Sequence, residues 1–177
     1  MIILTTPRLV LRGLMLDDTD DLAAMYGDEE TMRYMGPGGV RDRAAAARSV
    51  AWAQENYDTR GYGVWATQLL DGTFVGRCGL IDWEIEGTPE LEIGYMIDRR
   101  YWGHGYATEA AQAIRDYAFA TLRATRLISL IYPANTASIR VAEKNGMAFE
   151  RLVKIPIKEI NEVVGMWGLR VDQSTNA

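Results

Sequence analysis

The stretch YMIDRRYWGHGYATEA, Tyr95 to Ala110, constrains the fold more than any other part of the chain. An apolar, strand-like run ends at Asp98, an Arg-x-x-Gly-x-Gly turn follows (Arg100, Gly103, Gly105), and an alanine-rich helix begins. Strand, side-chain-poor turn and helix N-terminus meet at one point. Unpaired N–H groups and the positive end of the helix dipole then face any anion that approaches the backbone. A phosphate-bearing ligand is the first candidate for such a turn.

The rest of the composition narrows the field. A chain of 177 residues with 48% hydrophobic and 24% charged residues has globular proportions. We expect one domain over 1–171, with a loose polar tail over 172–177. The net charge of −5 argues against a general nucleic-acid binder, so a polyanion site must be made locally from amides and a few arginines. Cys78 is the only cysteine and His104 the only histidine, which removes disulfides, histidine triads and multi-histidine metal sites, and no metal is expected. No apolar run reaches the roughly 18 residues that span a bilayer. MIILTTPRLVLR lacks a signal-peptide layout, and the expectation is a cytoplasmic protein without a membrane partner.

Periodicity predicts a strand over Arg8–Leu14, one or two short helices over Asp17–Met35, and a break at Gly36-Pro37-Gly38-Gly39. A helix over Asp42–Tyr57 follows, then strands over Tyr62–Leu70, Thr73–Glu84 and Glu90–Ile97. Asp71-Gly72 marks a tight hairpin and Glu86-Gly87-Thr88-Pro89 a looser turn. Ala107, Ala111, Ile114, Ala118 and Leu122 recur at helical spacing. Arg126–Tyr132 reads as a buried strand, Asn135–Asn145 as a helix closed by Gly146, and Met147–Ile157 and Val163–Val171 as final strands. The order implies a mixed α/β sheet in one domain.

A Gly-x-Gly is by itself also the mark of an ordinary strand-to-helix turn. The dinucleotide fingerprint wants a third small residue and an acid about 20 residues on. Here Thr108 holds the third offset, and no Asp or Glu lies between Tyr117 and Ala142. The Gly-Lys-Ser/Thr of a Walker loop is absent. A coenzyme A site fits better. Four elements in order (TPRLVLR, LEIGYMI, RYWGHGYATEA and NTASIRVAEKNGMAF) make the chain resemble the GNAT superfamily of N-acetyltransferases, and within it the branch acting on ribosomal-protein N-termini. The resemblance runs through nearly the whole chain. It implies a GNAT acyl-CoA N-acyltransferase fold, α/β of mixed α+β type, whose central, mostly antiparallel sheet is flanked by helices. It also implies acetyl-CoA as co-substrate and a primary amine as acceptor, either a protein N-terminus or a small molecule. A homodimer is a family-level expectation.

Carried onto this chain, the family's pyrophosphate-binding amides are those of Arg100, Gly103, Gly105, Tyr106 and Ala107. The strand before the turn, at Met96, Ile97 and Asp98, pairs with the pantetheine arm. An N–H near Met96 would polarise the thioester carbonyl. Asn135 reads both as a helix N-cap and as the family's pantetheine contact, and the two roles are compatible. Arg140 and Lys144, one turn apart, read as phosphate contacts or as a solvated basic face.

Amide formation from an amine and a thioester needs a base, an oxyanion donor and a proton for the departing thiolate. With one histidine, the base is expected to be a carboxylate. Glu92, mid-strand and on the opposite face from Leu91, Ile93 and Tyr95, is the first candidate, against a purely structural role. Glu84 and Glu90 are weaker alternatives. The tyrosine that much of the superfamily places seven residues after the Asn is Ala142 here. The ribosomal-protein branch suggests Ser138 as the acid, with Tyr132 and Tyr101 as alternatives. His104 is expected to be an exposed turn residue, and Cys78 a core residue, which implies direct transfer. Met35–Val40, Trp52, Tyr57 and Trp65 are assigned to the acceptor region, and Asp28, Glu29 and Glu30 are acids able to attract a cation. The rival reading is a GNAT-fold module that binds acyl-CoA as a sensor or scaffold without turnover.

Overall fold

A computed structural model of the chain describes residues 1–36, 39–157 and 160–171. Pro37 and Gly38 of the glycine-rich break and the polar tail lie outside the described residues.

The chain enters as a hairpin, β1 (Ile2–Thr5) and β2 (Leu9–Gly13). Only the second strand is evident from the sequence, because Ile2-Ile3-Leu4 is a short run without alternation. Three helices follow: α1 (Thr19–Tyr26), α2 (Glu29–Met32) and α3 (Arg43–Arg60). Asp28 and Asp42 cap the last two, accepting from the N–H groups of Thr31 and Ala45, each at 2.8 Å. Gly61, at φ 77°, ends α3 in the left-handed conformation that glycine adopts most readily.

β3 (Val64–Leu69), β4 (Phe74–Ile85) and β5 (Thr88–Ile97) form the expected antiparallel meander. The turn between β4 and β5 is tighter than the sequence suggested. Glu86 and Gly87, at φ 52° and 78°, make it alone, as in a two-residue hairpin turn, and Thr88 and Pro89 join the strand. Beyond come α4 (Tyr106–Ala120), β6 (Arg126–Ile131), α5 (Thr136–Lys144), β7 (Ala148–Ile157) and β8 (Ile160–Arg170).

The eight strands lie in the order β1-β2-β3-β4-β5-β6-β8-β7. Every neighbouring pair is antiparallel except β5 and β6. Those two meet in a parallel register at Glu92 opposite Ile128, and the ladder goes no further. This parting in mid-sheet positions the site.

The two faces are buried separately. α4 sets Ala110, Ala111, Ile114 and Ala118 against Leu9, Leu11, Trp65, Cys78, Leu80 and Ile93. The opposite face packs Leu22, Met25, Tyr26 and Val50 of α1 and α3 on Ala66 and Met96. Burying one side chain such as Ile114 contributes about 1.5–3 kcal/mol. Arg126 ties the halves across the parting, at 2.8 Å from Glu90 on β5 and 2.7 Å from Glu150 on β7. No helix among the described residues is long and apolar enough to cross a membrane.

Candidate active site

β5 runs into the glycine turn. Asp98 caps the bend: its carboxylate accepts from the Arg100 N–H at 2.9 Å and from the Arg100 guanidinium at 2.7 Å. Gly103 and Gly105 follow at φ 81° and 80°. A Cβ at Gly103 would stand in open space, so the left-handed backbone rather than crowding demands glycine there. The first internal bond of α4 runs from the Glu109 N–H to the Gly105 carbonyl at 3.1 Å. The N–H groups of Tyr106, Ala107 and Thr108 are therefore left without a helical partner, and Gly105 offers no side-chain cap. Amides so placed are free to meet an anion.

A cleft of about 450 Å³ opens from that turn. Met96, Ile97, Gly103, Gly105, Tyr106 and Ala107 line one wall, and Asn135, Ser138, Arg140 and Lys144 of the α5 segment line the other. Unpaired amides at one end, two cations alongside and an apolar floor fit a phosphate-bearing thioester. Asp98 and Arg100 do not line it. The Arg100 amide is already taken by Asp98, so the expected phosphate contact from that amide is not available. The Asp98 N–H bonds the Val75 carbonyl at 2.9 Å, which fixes the parity of the strand. Even-numbered residues therefore turn their backbone to β4 and odd-numbered ones to the open edge. The carbonyls of Ile93 and Ile97 agree, accepting from Ser129 Oγ and Trp102 Nε1. The N–H groups facing the edge are thus those of Tyr95 and Ile97, not that of Met96.

A second cleft of about 400 Å³ lies beside the first. Tyr34, Met35, Tyr95, Asn135 and Ser138 line both. They meet where β5 and β6 part.

Glu92 stands there, 8% exposed. Its Oε2 accepts from Trp83 Nε1 at 2.6 Å, and its Oε1 from the Leu130 N–H at 3.1 Å. The side chain thereby takes up an amide that the β5–β6 ladder no longer serves. Burial pushes its carboxyl above the ordinary glutamate range, opposed by those two bonds and by the positive charge of Arg77. Glu84 is exposed and Glu90 is committed to Arg126, which removes both alternatives.

On α5, Asn135 is the N-cap, accepting from the Ser138 N–H at 3.2 Å. The Ser138 carbonyl accepts from the Tyr95 hydroxyl at 2.9 Å, joining β5 to α5 across the parting. Ala142 is fully buried in the core and lines neither cleft. Tyr101 lines the first cleft and Tyr132 the second. His104 is exposed and stacks on Tyr106, its ring centroid 5.5 Å away. Cys78 is fully buried, and burial pushes its thiol up to about 11.

The acceptor region differs from the sequence reading. Met35 and Gly36 line the second cleft, but Trp52, Tyr57 and Trp65 do not. Strand alternation turns Trp65 to the α4 face, where it packs edge-on against Tyr117. The Tyr57 hydroxyl is spent on the Val64 carbonyl and the Leu14 N–H. The aromatic walls come instead from Tyr34, Trp83, Tyr95 and Tyr132.

Arg8 was missed as well. Its guanidinium grips Glu109 at 2.6 Å and the His104 carbonyl at 2.9 Å, and lies 4.9 Å from the centre of the Tyr106 ring. It clamps the glycine turn from the first hairpin. Only its place in TPRLVLR hinted at this, since its partners lie about a hundred residues away.

Comparison with known proteins identifies the family. The acetyltransferase (GNAT) domain family matches residues 8–148. The uncharacterized protein YkkB of Bacillus subtilis is 38% identical over 155 residues, covering 85% of this chain and 88% of that protein. The uncharacterized N-acetyltransferase p20 of Bacillus licheniformis is 32% identical, covering 84% and 82%. Among solved structures, a GNAT-family acetyltransferase from Bacillus anthracis superposes with a TM-score of 0.78 at 28% identity, over 96% of this chain and 98% of that one. RimL, the ribosomal L7/L12 α-N-protein acetyltransferase solved with coenzyme A, shares the fold with a TM-score of 0.80 at 19% identity, over 97% and 99%. The chain belongs to the GNAT acetyltransferase family and is an enzyme that transfers acetyl groups from acetyl-CoA to an amine.

Proposed function

We propose that acetyl-CoA lies in the first cleft, that the acceptor amine enters through the second, and that transfer is direct where the two meet. The observation that carries this reading is the junction itself: two clefts share Tyr34, Met35, Tyr95, Asn135 and Ser138 at the parting of the sheet. The pyrophosphate sits on the amides of Gly103 through Ala107, with Arg140 and Lys144 alongside. The pantetheine arm follows the open edge of β5 past Met96 and Ile97 towards Asn135.

Glu92 takes the ammonium proton, directly or through one water. An unperturbed glutamate near ~4.3 is a weak base for an amine near ~10, and the buried setting of Glu92 narrows that gap. The neutral nitrogen attacks the thioester carbon and a C–N bond forms. The oxyanion meets an edge-facing N–H of Tyr95 or Ile97. Collapse breaks the C–S bond, the thiolate takes a proton from the Ser138 hydroxyl or from a water it holds, and the second proton that the nitrogen sheds returns to that oxygen through water. The products are an N-acetyl amide and free coenzyme A.

Cys78 supports direct transfer, since a thiol sealed in the core with its proton held to about 11 is no acyl carrier. Its free, buried state also supports a cytoplasmic setting for this catalytic domain, read as 1–171. The exposed Phe149 and Leu152 of β7 and Val163 of β8 support a homodimer, which size-exclusion chromatography tests.

Thiol release over a grid of acetyl-CoA and amine concentrations tests the reading. Intersecting double-reciprocal lines are expected. Parallel lines, the pattern of an acyl-enzyme, would overturn it.

A further inference from the structure

The second cleft has an uneven chemistry. Tyr34, Trp83, Tyr132, Ile155 and Val164 give it aromatic and aliphatic walls, and Ser129, Asn135 and Ser138 are its neutral polar side chains besides the tyrosines and Trp83. Among the described lining residues it holds one carboxylate, Glu92, and one cation, Arg41.

Arg41 is anchored rather than neutralised. Its backbone N–H bonds the Tyr26 carbonyl at 2.9 Å, its Nη2 bonds the Met35 carbonyl at 2.7 Å, and its guanidinium lies 5.7 Å from the centre of the Tyr26 ring. Among the described residues it makes no ion pair, whereas three acids of neighbouring segments are engaged elsewhere. Asp28 pairs with Arg99, Glu30 with Arg33, and Asp20 with Arg43. Arg77, on the same sheet face as Glu92, also lies by Tyr26, at 5.6 Å, with its buried Nε unpartnered. A fixed guanidinium in a largely apolar cleft, with donors to spare, suits an anion and repels a polycation. Of the acids able to attract a cation, Asp28 and Glu30 are paired, and none of Asp28, Glu29 and Glu30 lines this cleft.

Building on the two-cleft reading, we infer that the acceptor is an amine that also carries an anionic group on an apolar scaffold, with the anion on Arg41 and the amine at the junction beside Glu92 and Tyr95. An apolar amino acid has this chemistry. A polyamine or an aminoglycoside does not.

Paired acceptors with and without the anionic group test the inference: phenylalanine against phenylalaninamide, an apolar dipeptide against its C-terminal amide, and phosphoethanolamine against ethanolamine. Thiol release is followed in the wild type, Arg41→Met and Arg41→Lys. Calorimetry with acetyl-CoA verifies that each variant is folded. In at least one pair the anionic member should lead by about 10- to 100-fold in kcat/KM, the range a charge-assisted hydrogen bond gives. The pair that shows the lead tells carboxylate from phosphate. Arg41→Met should collapse the lead chiefly through KM, and Arg41→Lys should keep part of it. Equal use of all pairs by the wild type, or a lead that survives in folded Arg41→Met, overturns the inference and leaves the two-cleft reading standing. No thiol release from any amine by enzyme that binds acetyl-CoA would overturn the two-cleft reading itself.

Discussion

Glu92 is a carboxylate that the sheet has nearly removed from water and then supplied with two donors, Trp83 Nε1 and the Leu130 N–H. Burial raises its proton affinity in the folded chain, which has two consequences of opposite kind. As a base it must be ionised, so kcat should fall on acidification with a midpoint above the ordinary glutamate range, and Glu92→Gln should lower kcat at least ~100-fold while acetyl-CoA affinity stays near wild type. As a structural group it is better tolerated protonated. A raised folded-state pKa gives stability that is present at low pH and lost as pH rises through that pKa. The melting temperature of Glu92→Gln relative to wild type should therefore climb between acid and neutral pH. A flat difference would mean that Glu92 titrates as it does in the unfolded chain. Its position was legible from the strand pattern, because a charge between apolar neighbours stands out. Trp83, Arg8 and Arg41 were not legible, since each owes its role to a partner or a cleft that only the folded chain assembles.

The β5–turn–α4 unit is where sequence and structure correspond most closely. Its signals are local: two glycines that need positive φ, and a helix that needs one apolar stripe. What the sequence could not show is how the unit is held. Arg8 fixes the turn from the first hairpin, so Arg8→Ala should raise the KM for acetyl-CoA about tenfold with little change in kcat. A merely destabilising role would instead lower the melting temperature and leave that ratio alone. Glycine serves a different end in β4. A Cβ on Gly79 would sit 2.2 Å from the Gly63 carbonyl oxygen, so the loop after α3 can lie on the sheet only over a bare position. Gly79→Ala should cost about 1–3 kcal/mol, measured as a lower urea midpoint with unchanged slope. The missed β1 and the two-residue turn at Glu86-Gly87 have a common cause. Short edges and tight turns are settled by pairing across the sheet, which periodicity does not see.

Over the whole molecule, the proposed function rests on one interruption. A sheet closed between β5 and β6 would bury Glu92 uselessly and separate the two clefts. Parting after Glu92 and Ile128 lets a strand edge, a helix N-terminus and a carboxylate face one junction. The mixed sheet was readable from the order of the elements. The parting was not, because it depends on where a parallel ladder stops rather than on any run of residues. The central claim, that the amides of the glycine turn hold acetyl-CoA, is tested most directly by thermal unfolding with and without acetyl-CoA, in the wild type and in Gly105→Glu. At ligand about 100 times its dissociation constant, binding should stabilise the wild type by ~2.7 kcal/mol, a rise of roughly 5–10 °C, and the rise should vanish in the variant. No rise in the wild type at millimolar acetyl-CoA, or an equal rise in both proteins, would contradict it.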